Sequence, residues 1–252
     1  MTSTLYVFGD SFAASPDEYK HIGNLPVASN SIVSEIDNPD MPDPMGSGYW
    51  GFMDGTVHPT YIEDLGNRLG CTHISWHSLP GASNDYIFNE IYENYKDISA
   101  NDYAIIVYTN MNRKWFFEPN QSNLTGSETL DFAHIRTYLK YLQNDRLDTI
   151  ITLGYILATR SLLKDRCPYV ILPAYPIPET DIKGCLNDVS KDEIRGLQEV
   201  WLRLTAEFDP RINHLSISNH RTLSIKIYNY FKNNIPIDLT TEFQTNIIKV
   251  NQ

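Results

Sequence analysis

The chain has 252 residues, 42% hydrophobic and 20% charged, which is enough for one large domain with a substantial core or two small ones, a single domain over 1–252 being the expectation, and excludes a disordered chain, a collagen-like fibre or a coiled coil. A formal net charge of -11 repels phosphate backbones and anionic lipid surfaces, so neither nucleic acid nor a membrane is the expected partner. No apolar run reaches the roughly 18 to 20 residues of a membrane helix, and the start has no basic segment or signal core, so the expected location is cytoplasmic, with a virion component as the other possibility.

The first element is Thr4-Leu-Tyr-Val-Phe8, an apolar run closed by Gly9-Asp10, which predicts a buried strand ending in a turn. Residues 13–59 carry prolines at 16, 26, 39, 42, 44 and 59, a spacing that no helix or interior strand survives. That stretch reads as a long loop insertion, and loops of this length are often functional. Thr60-Tyr-Ile-Glu63 fits a capping box, Leu65 and Leu69 continue the stripe, and Gly70 stops the helix. Cys71 to Leu79 alternates as a strand. Ser83-Asn84 caps a helix through Ile87, Ile91 and Tyr95. Tyr103 to Tyr108 is the clearest buried strand.

Helical patterns follow over about Glu128 to Gln143 and Arg146 to Lys164, then a strand over Pro168 to Leu172. Ser190-Lys-Asp-Glu193 reads as a second capping box, opening a helix through Ile194, Leu197, Trp201 and Leu204. Ser218-Asn219 reads as the cap of a last helix with Leu223, Ile227 and Phe231. Residues 233–252 form a C-terminal extension, extended from Ile235 onward. The three cysteines, Cys71, Cys167 and Cys185, form no CxxC pair and read as small buried hydrophobes.

Strands that are continuous apolar runs, alternating with helices, predict an α/β fold: a three-layer αβα domain with a flavodoxin-like parallel sheet of about five strands in the order 2-1-3-4-5. Ligands bind such sheets at the carboxyl ends of the strands, where the strand order reverses. Here that point lies between the first and third strands. Three segments meet there: Phe8-Gly9-Asp10-Ser11-Phe12, Leu79-Pro-Gly81-Ala-Ser-Asn84 and Thr109-Asn110-Met111-Asn112. A serine hydroxyl becomes a nucleophile when a base takes its proton, and histidine is the usual base. His214 and His220 lie near the end of the chain. The oxyanion formed by attack on an ester needs donors already aimed at it. The backbone N–H groups of Ser11 and Gly81 and the amide of Asn110 supply three.

At these residues the sequence resembles the SGNH (GDSL) hydrolase family. Gly9-Asp10-Ser11 matches the nucleophile block, Gly81 the second block, Asn110 the asparagine of the third, and His214 the histidine of the last. The resemblance runs in block order from Gly9 to about Tyr228, through His220-Arg-Thr-Leu-Ser. It implies that Ser11 is the nucleophile, that His214 rather than His220 is the base, and that Ser11, Gly81 and Asn110 form the oxyanion hole. It implies no cofactor and no metal.

Two positions depart from the family. Arg211 stands where the family has aspartate, leaving Asp209 or a backbone carbonyl to orient the imidazole. Tyr108 stands where the third block has glycine, which adds bulk to the pocket floor. The implied activity is hydrolysis of an ester through a Ser-His acyl-enzyme, with a short acyl group such as acetyl on a carbohydrate as the substrate. The alternative is a catalytically impaired binding or structural module of the same fold, for example in a virus particle.

Other signals carry less. Gly46-Ser-Gly48-Tyr-Trp-Gly51 spells GxGxxG, but it follows a proline-rich loop rather than a strand. Asp37, Asp40 and Asp43 are interrupted by prolines and read as solvated surface. His58, His73, His77 and His134 are scattered and read as structural. There is no G-x-S-x-G elbow.

Overall fold

The computed structural model describes residues 2–14, 60–79, 81–114, 141, 144–178, 180–190, 215 and 217–244. The insertion beyond residue 14, most of the helical pattern before residue 143, and the helix assigned after Ser190 lie outside these residues. The chain divides into two compact units, residues 1–14 with 70–180, and residues 15–69 with 181–252.

The first unit holds four strands: β1 (Thr4–Gly9), β2 (His73–Ser78), β3 (Tyr103–Tyr108) and β4 (Tyr169–Pro173). They form one parallel sheet in the order β2-β1-β3-β4, so the reversal falls between β1 and β3 as expected. This is an α/β fold with an open parallel sheet. Four of the five expected strands are among the described residues. In register, Phe8 of β1 lies between His77 of β2 and Ile106 of β3, and Ile106 faces Ile171 of β4.

One sheet face is covered by α2 (Asn84–Asn94) and α3 (Asp145–Leu163). Phe8, Ala104, Ile106, Tyr108 and Ile171 pack there with Ile87, Ile91, Ile156 and Leu163. Leu5, Val7, Ile105, Val107, Val170 and Leu172 alternate onto the other face and are buried as well. Burial on both faces is why these strands read as unbroken apolar runs.

The helix signals act as their chemistry requires, with instructive exceptions. α1 (Tyr61–Leu69), in the second unit, starts with half a capping box: Thr60 N–H donates to Glu63 Oε2 at 2.8 Å, while Thr60 Oγ1 makes no bond. It ends at Gly70, whose φ of 72° is the left-handed conformation a helix stop needs. Ser83 alone caps α2, accepting from Tyr86 N–H at 3.3 Å. α3 opens on Asn144, whose side chain accepts from Arg146 and Leu147.

Ser190 is the last residue of a short helix, α4 (Leu186–Ser190), and the helix read from its capping box lies outside the described residues. Ser218 and Asn219 are not caps, because α5 (Ile217–Asn233) has already begun. Asn219 is fully buried; its amide donates to the carbonyls of Val189 and Gln244 and accepts from Gln244 N–H. Holding a distant segment with three bonds outweighs one capping bond. The described part of the extension holds an isolated parallel bridge, Lys183 to Asp238, and no strand.

Two residues fix how β1 sits on β3. At its start, Asp102 accepts from Thr4 N–H at 2.8 Å and from the N–H and hydroxyl of Ser99 at 2.8 and 2.6 Å. At its end, Gly9 lies so close to β3 that an added Cβ would stand 2.7 Å from Ala13 Cβ and 3.0 Å from Val107 Cβ.

Gly9→Ala therefore displaces the turn that carries Ala13 and strains the contact of β1 with Val107 of β3, at a cost of about 1–3 kcal/mol. Urea unfolding measures it, and a loss under about 0.5 kcal/mol contradicts the close approach. Asp102 gives a pH dependence. Burial pushes its carboxyl up, but the bonds from Ser99 and Thr4 outweigh that and hold its pKa below the usual value. Its contribution is thus complete above the unfolded value of about 3.9 and is lost as pH falls through the lower folded value. Asp102→Asn should lower stability at neutral pH and flatten the loss below about pH 4; unfolding midpoints across pH show whether the wild-type slope survives.

Candidate active site

The ends of β1 and β3 are built the same way. After β1, Asp10 Oδ1 accepts from Phe12 N–H at 3.0 Å, and the Asp10 carbonyl accepts from Ala13 N–H at 2.9 Å. After β3, Asn110 Oδ1 accepts from Asn112 N–H at 2.9 Å, and the Asn110 carbonyl accepts from Arg113 N–H at 3.2 Å. Each strand thus runs into a tight turn locked by the side chain of its first residue. Ser11 is the second residue of the first turn and is partly exposed.

The second-block glycine lies in a third turn. Ala82 N–H donates to the Leu79 carbonyl at 2.9 Å, and Gly81 takes a φ of 79°. A positive φ is the left-handed region, where glycine is the residue that fits. Leu79 N–H in turn donates to the Gly9 carbonyl at 3.0 Å, which joins this turn to the end of β1.

Buried side chains tie these turns together. Asp10 is fully buried, and its Oδ2 accepts from Thr109 Oγ1 at 2.6 Å and from Arg113 Nη1 at 3.2 Å. Asn84 clamps the backbone of one residue: Thr109 N–H donates to its Oδ1 at 2.8 Å, and its Nδ2 donates to the Thr109 carbonyl at 3.2 Å. The same Nδ2 reaches Thr152 Oγ1 on α3 at 3.3 Å. Lys114 pairs with Asp148 of α3 at 2.7 Å, with the carboxylate side chain 1% exposed.

Asn110 follows directly on the clamped residue. Because its Oδ1 is taken by Asn112 N–H, its amide orientation is set. Its Nδ2 has no partner among the described residues, so both of its N–H donors remain available. Ser11, Gly81 and Asn110 thus lie on three turns that hydrogen bonds join at the carboxyl edge of β1, β2 and β3.

His214 and Asp209, the expected base and its orienting carboxylate, lie outside the described residues. The alternative base, His220, does other work. Its Nδ1 accepts from Tyr61 N–H at 3.3 Å, and its ring stacks on Tyr61 with centroids 5.8 Å apart. An accepting Nδ1 places the proton of the neutral ring on Nε2, so Nε2 has no lone pair with which to take another. His220 belongs to the packing of α1 on α5. His77 is likewise structural, stacked on Phe8 at 5.0 Å and 3.5 Å from the Glu90 carboxylate.

Tyr108 does not crowd the site. It is fully buried among the residues under α2 and α3, and its hydroxyl bonds Thr159 Oγ1 at 2.8 Å. Burial pushes that phenol well above its ordinary pKa, so it stays protonated at neutral pH. The cysteines are free thiols. Burial pushes Cys167 and Cys185 up to about 12, so neither carries thiolate at neutral pH. Among the described residues no three metal-ligating side chains cluster. No described helix is long and apolar enough to cross a membrane.

The residues that build the site were partly readable. Along α3 the buried positions are Asp148, Thr152, Ile156, Thr159 and Leu163. Three polar residues on the core stripe of one helix mark polar partners opposite them. Asn84 could be found by noting that only one of Ser83 and Asn84 can be the cap. Arg113 and Lys114 carry no local signal.

The chain matches no protein-family model, no curated protein and no solved structure.

The Asn84 clamp is directly testable. Asn84→Ala leaves a buried N–H and a buried carbonyl of Thr109 unpaired, at about 1–3 kcal/mol each. The variant should lose about 2–4 kcal/mol by urea unfolding, and the Thr109 amide should exchange hydrogen faster. Protection equal to wild type would mean that the clamp does not hold this residue.

Proposed function

We propose that the chain is a metal-independent serine ester hydrolase of the SGNH type. The observation that carries this reading is the pairing of two locked turns at the reversal of strand order. One presents Ser11, the other presents the uncommitted amide of Asn110, and the Asp10–Thr109 bond of 2.6 Å joins them. A site that must stabilise a developing oxyanion needs donors fixed before the reaction begins. In this reading the four described strands belong to a three-layer αβα fold of about five strands in the order 2-1-3-4-5.

The chemistry follows from the roles. His214 takes the proton of Ser11 Oγ as the oxygen attacks the ester carbonyl. The oxyanion is held by the N–H groups of Ser11 and Gly81 and by Asn110 Nδ2. The imidazolium then protonates the leaving alcohol as the C–O bond breaks, giving an acyl-enzyme. Water, deprotonated by His214, releases the acid and restores Ser11. Asp209 or a backbone carbonyl orients the imidazole, since Arg211 cannot. A short acyl group, such as acetyl on a carbohydrate, is the proposed substrate class.

Ser11→Ala should reduce hydrolysis of an aryl acetate at least about a thousandfold. It should also abolish labelling by a fluorophosphonate probe. Asn110→Ala should cost about a hundredfold in kcat. Turnover or labelling that survives in Ser11→Ala rejects the nucleophile. A folded wild-type protein that takes no probe rejects the enzyme in favour of a binding module of the same fold.

A further inference from the structure

Arg113 is the third residue after Asn110, and its guanidinium meets two residues of the sheet edge, Asp10 and Tyr175. Nη1 donates to Asp10 Oδ2 at 3.2 Å, next to Ser11 in the chain. The guanidinium carbon lies 6.0 Å from the centre of the Tyr175 ring, in the segment after β4. Phe12, the residue after Ser11, meets that same ring edge-on at 6.3 Å.

The Asp10 contact uses one of the five N–H donors of a guanidinium. The others have no partner among the described residues, yet the side chain is only 18% exposed. Asp10 also draws on Phe12 N–H and the Thr109 hydroxyl, so its charge is shared among at least three donors. A largely desolvated cation with unused donors is therefore kept on the residue that precedes the candidate nucleophile, in a chain whose net charge is -11. A planar guanidinium anchored on one edge and backed by an aromatic ring suits a carboxylate, which it can grip with two parallel bonds.

We propose that Arg113 is an anion-recognition residue of this site, and that the substrate is an ester carrying a carboxylate. The substrate assignment rests on the serine esterase reading; the anion site does not. The test uses two aryl esters of matched acyl length, neutral 4-nitrophenyl butyrate and anionic 4-nitrophenyl hydrogen succinate, together with free succinate as a binding probe.

In Arg113→Lys, which keeps a counter-charge for Asp10, the succinate-to-butyrate ratio of kcat/KM should fall about tenfold or more, the effect of losing a charge-assisted bond. Arg113→Gln should lower it further; if that variant fails to fold, the lysine variant decides. Millimolar succinate should raise the melting temperature of the wild type and not that of Arg113→Lys. An unchanged ratio in the lysine variant, or no shift of the wild type by succinate, overturns the proposal. If neither ester is hydrolysed and Ser11 takes no fluorophosphonate, but succinate still stabilises the protein through Arg113, the esterase reading fails and the anion site stands.

Discussion

A carboxylate with no solvent contact organises the sheet edge. Asp10 closes the turn that carries Ser11 through Phe12 N–H, and reaches across to the next strand through Thr109 and Arg113. A buried charge is tolerated when it is fully hydrogen-bonded and paired. Here the bonds that satisfy the charge also fix the distance between the two turns. The loops after β1 and β3 therefore cannot move independently without exposing or stranding Asp10.

The same economy holds at the backbone. Parallel strands leave peptide groups unpaired where the ladder stops, and each one buried without a partner is costly. Four bonds continue the ladder beyond the strands: Leu79 N–H to the Gly9 carbonyl, Ala174 N–H to the Tyr108 carbonyl, and two from the Asn84 amide to the backbone N–H and carbonyl of Thr109. The candidate oxyanion donors sit one or two residues past these anchors. That is the arrangement by which a loop residue inherits the rigidity of a sheet, and rigidity is what electrostatic stabilisation of a transition state requires.

The elements that sequence alone reveals are those whose signal is local. Tyr103 to Tyr108 is a strand because five buried side chains in a row after a partly buried one suit a sheet covered on both faces, and Gly70 stops its helix because of its own φ. Residues whose role depends on a partner far along the chain are read wrongly or not at all. Asn219 has the chemistry of a cap and is spent instead on Val189 and Gln244. Tyr108, at the glycine position of the family pattern, looks like an obstruction in one dimension. In the sheet its side chain leaves on the core side and ends on Thr159. Alternation along a strand decides this, because neighbouring residues face opposite ways. Ser11, Gly81 and Asn110 were found because each follows a recognisable strand. Arg113 and Lys114 stand in a turn, where composition says nothing of direction.

Those two adjacent cations hold the end of the turn after β3 from two sides. Arg113 is drawn toward β1 by Asp10, and Lys114 toward α3 by Asp148, with both carboxylates almost wholly buried. A buried ion pair adds little net stability, since desolvation cancels much of the attraction, but removing one partner leaves the other charge stranded. The cost of misplacing this loop is therefore counted twice, once at each carboxylate. Two pairs pulling adjacent residues toward different elements define the path of the backbone between them more sharply than an apolar contact, which tolerates sliding. The turn from Asn110 to Arg113 starts directly after the residue that Asn84 holds and ends at the first of these pairs, so both of its ends are anchored.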